Sequence, residues 1–110
     1  MTSSPPAAGP TSTPGITGLS HVAIAVPDLA AAVARLQGLG LTAGPVHENA
    51  AQQVRLCYVD LGNARLELIA PLGPDAPLAR FLEKNPSGGL HHVAFSVADV
   101  TAALAAVTGA

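Results

Sequence analysis

The residues His21-Val-Ala-Ile-Ala-Val-Pro-Asp28 return 71 positions later as His92-Val-Ala-Phe-Ser-Val-Ala-Asp99. Carried on through Leu29 to Leu36 against Val100 to Val107, the comparison gives eight identities in sixteen positions. A repeat of this length marks a duplicated supersecondary unit rather than one continuous fold. The first copy occupies about residues 19–72, a linking helix is expected over 75–85, and the second copy, from residue 89 to Ala110, has room for a strand and a helix only.

Local patterning fills in the unit. From Ser20 to Val26 the branched residues Val22, Ile24 and Val26 alternate with His21, Ala23 and Ala25, the period of two of a strand with unlike faces. Asp28 is placed to cap a helix running through Leu29, Val33 and Leu36 to Gly38, with that stripe against the sheet. Gly40–Val46 is a second strand candidate, and the polar stretch His47–Gln53 reads as a turn. Val54–Asp60 and Arg65–Ala70 read as two strands joined by a hairpin through Gly62 and Asn63. On the latter strand Leu66, Leu68 and Ala70 share one face, and Arg65, Glu67 and Ile69 the other. Asp75 is expected to cap a helix over Ala76–Lys84, and Leu90–Val97 is the fifth strand, with His92, Ala94 and Ser96 facing away from His91, Val93 and Phe95. Asp99 caps the last helix as Asp28 caps the first. The resulting class is α+β: a βαβββ module, a link, then βα alone.

Composition excludes several functions. Five Lys and Arg against seven Asp and Glu leave no basic stripe for nucleic acid or anionic lipid. No apolar run approaches the ~18–20 residues of a membrane-spanning helix, and residues 1–18, rich in Pro, Ser, Thr and Gly, read as a disordered tail with neither signal-peptide nor transit-peptide character. The cytoplasm is the default location. The one cysteine, Cys57, sits between Leu56 and Tyr58 and reads as a buried, inert thiol.

Three residues invite chemistry. His21 and His92 hold the same place in the two copies, so pseudo-twofold packing would bring their imidazoles together across a shared cavity. Glu67 stands mid-strand among apolar neighbours, where an uncompensated carboxylate is costly and a divalent metal is one remedy. Two His and one Glu form a mixed nitrogen and oxygen set suited to Co, Ni, Zn, Mn or Fe. The plainer alternative pairs Glu67 with Arg65 or Arg55 in solvent. His91 is expected on the opposite face, packed or hydrogen-bonded. His47 and Glu48 are expected to be solvated on a loop.

The stretches His21–Leu29, Asp60–Asn85 and Gly88–Phe95 resemble the vicinal-oxygen-chelate (glyoxalase/bleomycin-resistance) superfamily of paired βαβββ modules. The middle stretch, running into Gly-Gly-Leu-His-His92, is most similar to its methylmalonyl-CoA epimerases. The resemblance covers about residues 19–108. It implies His21, Glu67 and His92 as three of four ligands to a divalent metal, with the fourth, a Glu, on an eighth strand that this chain does not reach. It further implies an acyl-CoA substrate, epimerisation of 2-methylmalonyl-CoA by α-proton transfer through a metal-stabilised enolate, and a homodimer or a completing chain as partner. It does not assign the acid–base pair; Glu48 is a carboxylate in the right general part of the chain. With the second module unfinished, activity is expected to be weak or absent unless another chain completes the cavity. A glyoxalase I-like metal-dependent lyase or isomerase, and a non-enzymatic small-molecule-binding module, are the alternatives.

Overall fold

Two aspartates start two helices, as the repeat requires. In the computed structural model, which describes residues 15–108, Asp28 Oδ1 accepts from Ala31 N at 3.1 Å and Asp99 Oδ1 accepts from Ala102 N at 3.1 Å. The carboxylates satisfy first-turn N–H groups that have no helical partner. The elements are β1 (Ile16–Ala25), α1 (Leu29–Gly38), β2 (His47–Asn49), β3 (Val54–Asp60), β4 (Arg65–Pro71), α2 (Pro77–Lys84), β5 (Gly89–Val97) and α3 (Val100–Thr108). The order βαβββ, link, βα is the expected one.

The chain divides into two compact units, the larger being Leu19–Ala94. Its sheet has the order β2-β3-β4-β1-β5. β1 runs parallel to β4, with His21 beside Arg65 and Ala23 beside Glu67. β3 runs antiparallel to β4, with Tyr58 opposite Glu67 and Cys57 opposite Leu68. Alternation then sorts side chains onto two faces. On one face Leu29, Cys57, Val59, Leu68 and Ala70 are buried, with Ile24, Val33, Leu36 and Leu66 packed around them, so the α1 stripe docks where its spacing predicts. On the other, Ala23, Ala25, Val54, Ile69 and Leu78 form a second cluster with Leu56, Phe81 and Leu82. Small side chains at Ala23 and Ala25 keep the floor of this second face low beside His21.

Several expectations change. The strand expected over Gly40–Val46 is absent; that segment makes one isolated bridge, Ala43 with Val59. The strand lies instead at His47–Asn49, inside the stretch expected to turn, and pairs with Val54–Leu56. Edge-strand pairing uses backbone groups and does not require apolar side chains. The turn contracts to Ala50–Gln53, where Asn49 Oδ1 accepts from Gln52 N at 3.0 Å and Gln53 adopts φ +57°. Asp75 does not cap α2. The N-cap is Ala76, whose side chain has no acceptor; Ala79 N donates to the Ala76 carbonyl at 2.9 Å, and Pro77 at the first helical position brings a φ already suited to the helix.

The smaller unit comprises residues up to Gly18 and those from Phe95 on. Residues 1–14 of the expected tail lie outside the described residues, but β1 begins at Ile16, inside the span assigned to that tail. Ala98 N donates to Gly15 O at 2.6 Å, a backbone bond for which the composition of the segment is irrelevant. No helix among the described residues is long and apolar enough to cross a membrane.

Candidate metal centre

β1, β4 and β5 bring His21, Glu67 and His92 together, and one ligand atom from each lies within 4.8 Å of the others. Glu67 Oε1 is 3.4 Å from His21 Nε2 and 3.6 Å from His92 Nε2. Glu67 is 8% exposed, the one charged residue in the buried set. Its expected surface pairing with arginine does not occur. Arg55 bonds Glu48 instead, Nη2 to Oε2 at 3.0 Å, and Arg65 lays its guanidinium 4.3 Å from the centre of the Tyr58 ring. Glu67 is left with two imidazoles and one phenol, Tyr58 Oη donating to Oε2 at 3.3 Å.

The donor set fits a divalent ion. Two ligand atoms each ~2.1 Å from a tetrahedral centre stand ~3.4 Å apart, and the carboxylate-to-imidazole separations are 3.4 and 3.6 Å. Neutral imidazole nitrogen and carboxylate oxygen suit Zn, Co, Ni, Mn or Fe, and the ion would compensate a carboxylate held away from water.

Two of the three, Glu67 and His92, line a cavity of about 540 Å³ together with Val54, Ile69, Leu78 and His91, among others. His91 therefore opens onto the same cavity as His92, contrary to simple alternation. Its ring meets Phe81 edge-on at 5.1 Å, and its Nδ1 lies 2.8 Å from His92 Nδ1. Gly88, at φ +88°, ends the link just before Gly89 opens the strand. Burial, followed by the neighbouring His92, pushes the His91 imidazole below its usual range. The expectation that His91 packs and hydrogen-bonds holds; its face does not.

Glu48 and His47 are exposed, as expected of solvated residues. Glu48 stands opposite Arg55 in the β2–β3 register, and Arg55 alternates with Val54 and Leu56, which belong to the Glu67 side. Glu48 is thus on the sheet face away from the cluster and is not placed to exchange a proton there. Tyr58 is the site residue the sequence reading missed. The available signal was its position: hairpin pairing about Gly62 sets Tyr58 directly across from Glu67.

Residues 20–110 match the model of the Glyoxalase/Bleomycin resistance protein/Dioxygenase superfamily. Over 86 residues the chain is 46% identical to the ethylmalonyl-CoA/methylmalonyl-CoA epimerase of Cereibacter sphaeroides, covering 77% of this chain and 64% of that protein. Over 103 residues it is 44% identical to the mitochondrial methylmalonyl-CoA epimerase of Bos taurus, covering 93% of this chain and 58% of that one. The chain thus spans less than two thirds of the length of these relatives. Among solved structures, methylmalonyl-CoA epimerase from Mycobacterium tuberculosis superposes with a TM-score of 0.79 at 30% identity, covering 92% of this chain and 70% of the other. Another neighbour, at a TM-score of 0.76 and 32% identity over 86% of this chain and 69% of its own, is a methylmalonyl-CoA epimerase in complex with methylmalonyl-CoA and NH4+. Fold and relatives agree, and the chain belongs to the glyoxalase/bleomycin resistance protein/dioxygenase superfamily, where the relatives named above are methylmalonyl-CoA epimerases.

Proposed function

We propose that this chain carries the metal centre of a 2-methylmalonyl-CoA epimerase, with His21, Glu67 and His92 as protein ligands to one divalent ion. The observation that carries this reading is the convergence of two imidazole Nε2 atoms on one buried carboxylate oxygen, at 3.4 and 3.6 Å, on the wall of a 540 Å³ cavity. The relatives supply the substrate class, an acyl-CoA with an acidic C2–H.

A bound divalent ion supplies Lewis-acid polarisation of the thioester carbonyl, which makes the neighbouring C2–H more acidic. The chain's own residues set the charge and shape of the site. Glu67 brings one negative charge, and the imidazoles bring none when neutral, so a dipositive site keeps net positive charge for an anionic, carboxylate-bearing substrate. Val54, Ile69 and Leu78 give the cavity an apolar wall on which a C2 methyl group can rest. Proton removal on one face and return on the other inverts the stereocentre. Glu48 does not serve in that exchange, since it faces the other side of the sheet.

The test is isotopic. The chain, dialysed against Co2+ or Zn2+, is incubated with 2-methylmalonyl-CoA in D2O, and C2 deuterium is followed by mass spectrometry beside metal content. Metal bound one to one and lost in His21→Ala is the expected result, with deuterium incorporation that needs that metal and is slow in this chain alone. A chain that retains no divalent metal, or that retains it equally after His21→Ala and His92→Ala, overturns the reading.

A further inference from the structure

Each of the three converging ligands has a second polar atom turned away from the point of convergence, and each of those atoms has a partner. Glu67 offers Oε1 to both imidazoles while Oε2 accepts from Tyr58 Oη at 3.3 Å. His21 offers Nε2, and its Nδ1 lies 3.1 Å from Ser20 Oγ. His92 offers Nε2, and its Nδ1 lies 2.8 Å from His91 Nδ1. The division is made atom by atom in all three.

We propose that Tyr58 is a positioning residue that holds Glu67 to a single ligating oxygen, while Ser20 and His91 hold His21 and His92 in the tautomer that leaves each Nε2 lone pair free. This rests on the metal-centre reading above. A carboxylate free to turn can chelate an ion through both oxygens; a phenol O–H on Oε2 occupies a lone pair there and fixes the carboxylate plane. Tyr58 is itself hard to move. It stands opposite Glu67 in the β3–β4 register, with the Arg65 guanidinium 4.3 Å from its ring centre and the His21 ring edge-on at 6.1 Å. For His21, a proton on Nδ1 can be donated to Ser20 Oγ. For His92, a proton on Nδ1 can be donated to His91 Nδ1, whose own proton then sits on Nε2. Partners of this kind fix ligand orientation and raise ligand basicity. A single-oxygen Glu67 also leaves one more position on the ion for a substrate that arrives with two oxygens.

The experiment compares wild type, Tyr58→Phe, Glu67→Ala and the double variant by calorimetric titration with Zn2+ and by the visible absorption of the Co2+ form. Tyr58→Phe keeps the ring and is expected to weaken Zn2+ binding by about tenfold or more and to lower the intensity of the Co2+ bands as a second carboxylate oxygen raises the coordination number. The double variant is expected to bind no more weakly than Glu67→Ala alone, because Tyr58 acts through that carboxylate. If Tyr58→Phe does not fold, Ser20→Ala carries the test at His21, with weaker Zn2+ binding expected there too. Wild-type affinity and spectrum in Tyr58→Phe, or a further loss in the double variant, overturn the positioning role and leave the metal centre standing. A wild-type chain that binds no metal overturns the metal centre itself, and the positioning role with it.

Discussion

Tyr58 and Glu67 face each other directly across the antiparallel pair β3–β4, and the phenol donates to the carboxylate at 3.3 Å. The pairing register of a hairpin therefore delivers a hydrogen-bond donor to the deepest carboxylate of the chain. Burial comes first among the causes that push the Tyr58 hydroxyl above its usual range, followed by the charge of Glu67 and the bond to it, with Arg65 pulling the other way. An acid whose folded pKa is raised contributes stability that is whole below its unfolded value, ~10, and is lost as pH rises through the folded one. Tyr58 is the chain's only tyrosine and there is no tryptophan. Absorbance near 295 nm therefore reads this hydroxyl alone. The titration midpoint is expected above that of free tyrosine, falling to the ordinary value in urea, and a native midpoint at or below the urea value contradicts the burial of the phenol.

Gly88 closes the link before β5. Its φ of +88° suits glycine, and a Cβ there would collide with the carbonyl oxygen of Ala25, at the end of β1. Two penalties act together, the left-handed backbone and the clash, each of order 1–3 kcal/mol. Gly88→Ala is expected to lower the thermal midpoint clearly, whereas Gly73→Ala, with nothing within 4 Å of its added carbon, is expected to change it by a degree or two. Equal midpoints for the two would show that the approach of residue 88 to β1 is not tight in solution.

The ion pair of Glu48 with Arg55 is solvent-exposed on both sides, and pairs of that kind contribute about 0–1 kcal/mol. Glu48→Ala is expected to leave stability within that range and metal binding unchanged, because it removes a charge from the sheet face opposite Glu67. A drop in Zn2+ affinity as large as that of Glu67→Ala would place Glu48 in the centre after all.

How much of this was legible in the sequence depended on what kind of interaction decided each element. β3 appears at its expected bounds, Val54–Asp60, because its apolar stretch Leu56–Val59 is buried or half-buried on both faces and ends at the exposed Asp60. The caps Asp28 and Asp99 were legible because capping is a contact over three residues. The face of Glu67 followed from a period of two. β2 was misplaced because an edge strand is held by backbone bonds to a neighbour that local sequence does not name; only Asn49, closing its turn through Gln52, left a trace. The side of His91 was misread because a ring contact with Phe81, ten positions away on α2, outweighs alternation at a strand end. The His21 and His92 pair was legible through the repeat, whereas its meeting with Glu67, which depends on the parallel β1–β4 pairing, was legible only through the family resemblance.

Cys57 lies opposite Leu68 in the β3–β4 ladder, one residue from Tyr58, and is fully buried on the face away from the ligand cluster. Burial pushes its thiol above the ordinary range. Thiolate is the reactive form, so both exposure and ionisation must come from opening the fold. A disulfide reagent is expected to label the native chain at least ~100-fold more slowly than the urea-unfolded chain. The strand that buries Cys57 also presents Tyr58 to Glu67, so an ion held by the cluster stabilises the closed form against the open one. At a free ion concentration of ~100 times its dissociation constant the stabilisation is ~2.7 kcal/mol, a further ~100-fold slowing of labelling. Mn2+ is the ion of choice, because thiols hold it weakly. Slower labelling with Mn2+ in wild type and no change in the Glu67→Ala variant is the expected pair of results. Slowing that survives Glu67→Ala would mean that the ion protects the thiol from somewhere other than this centre.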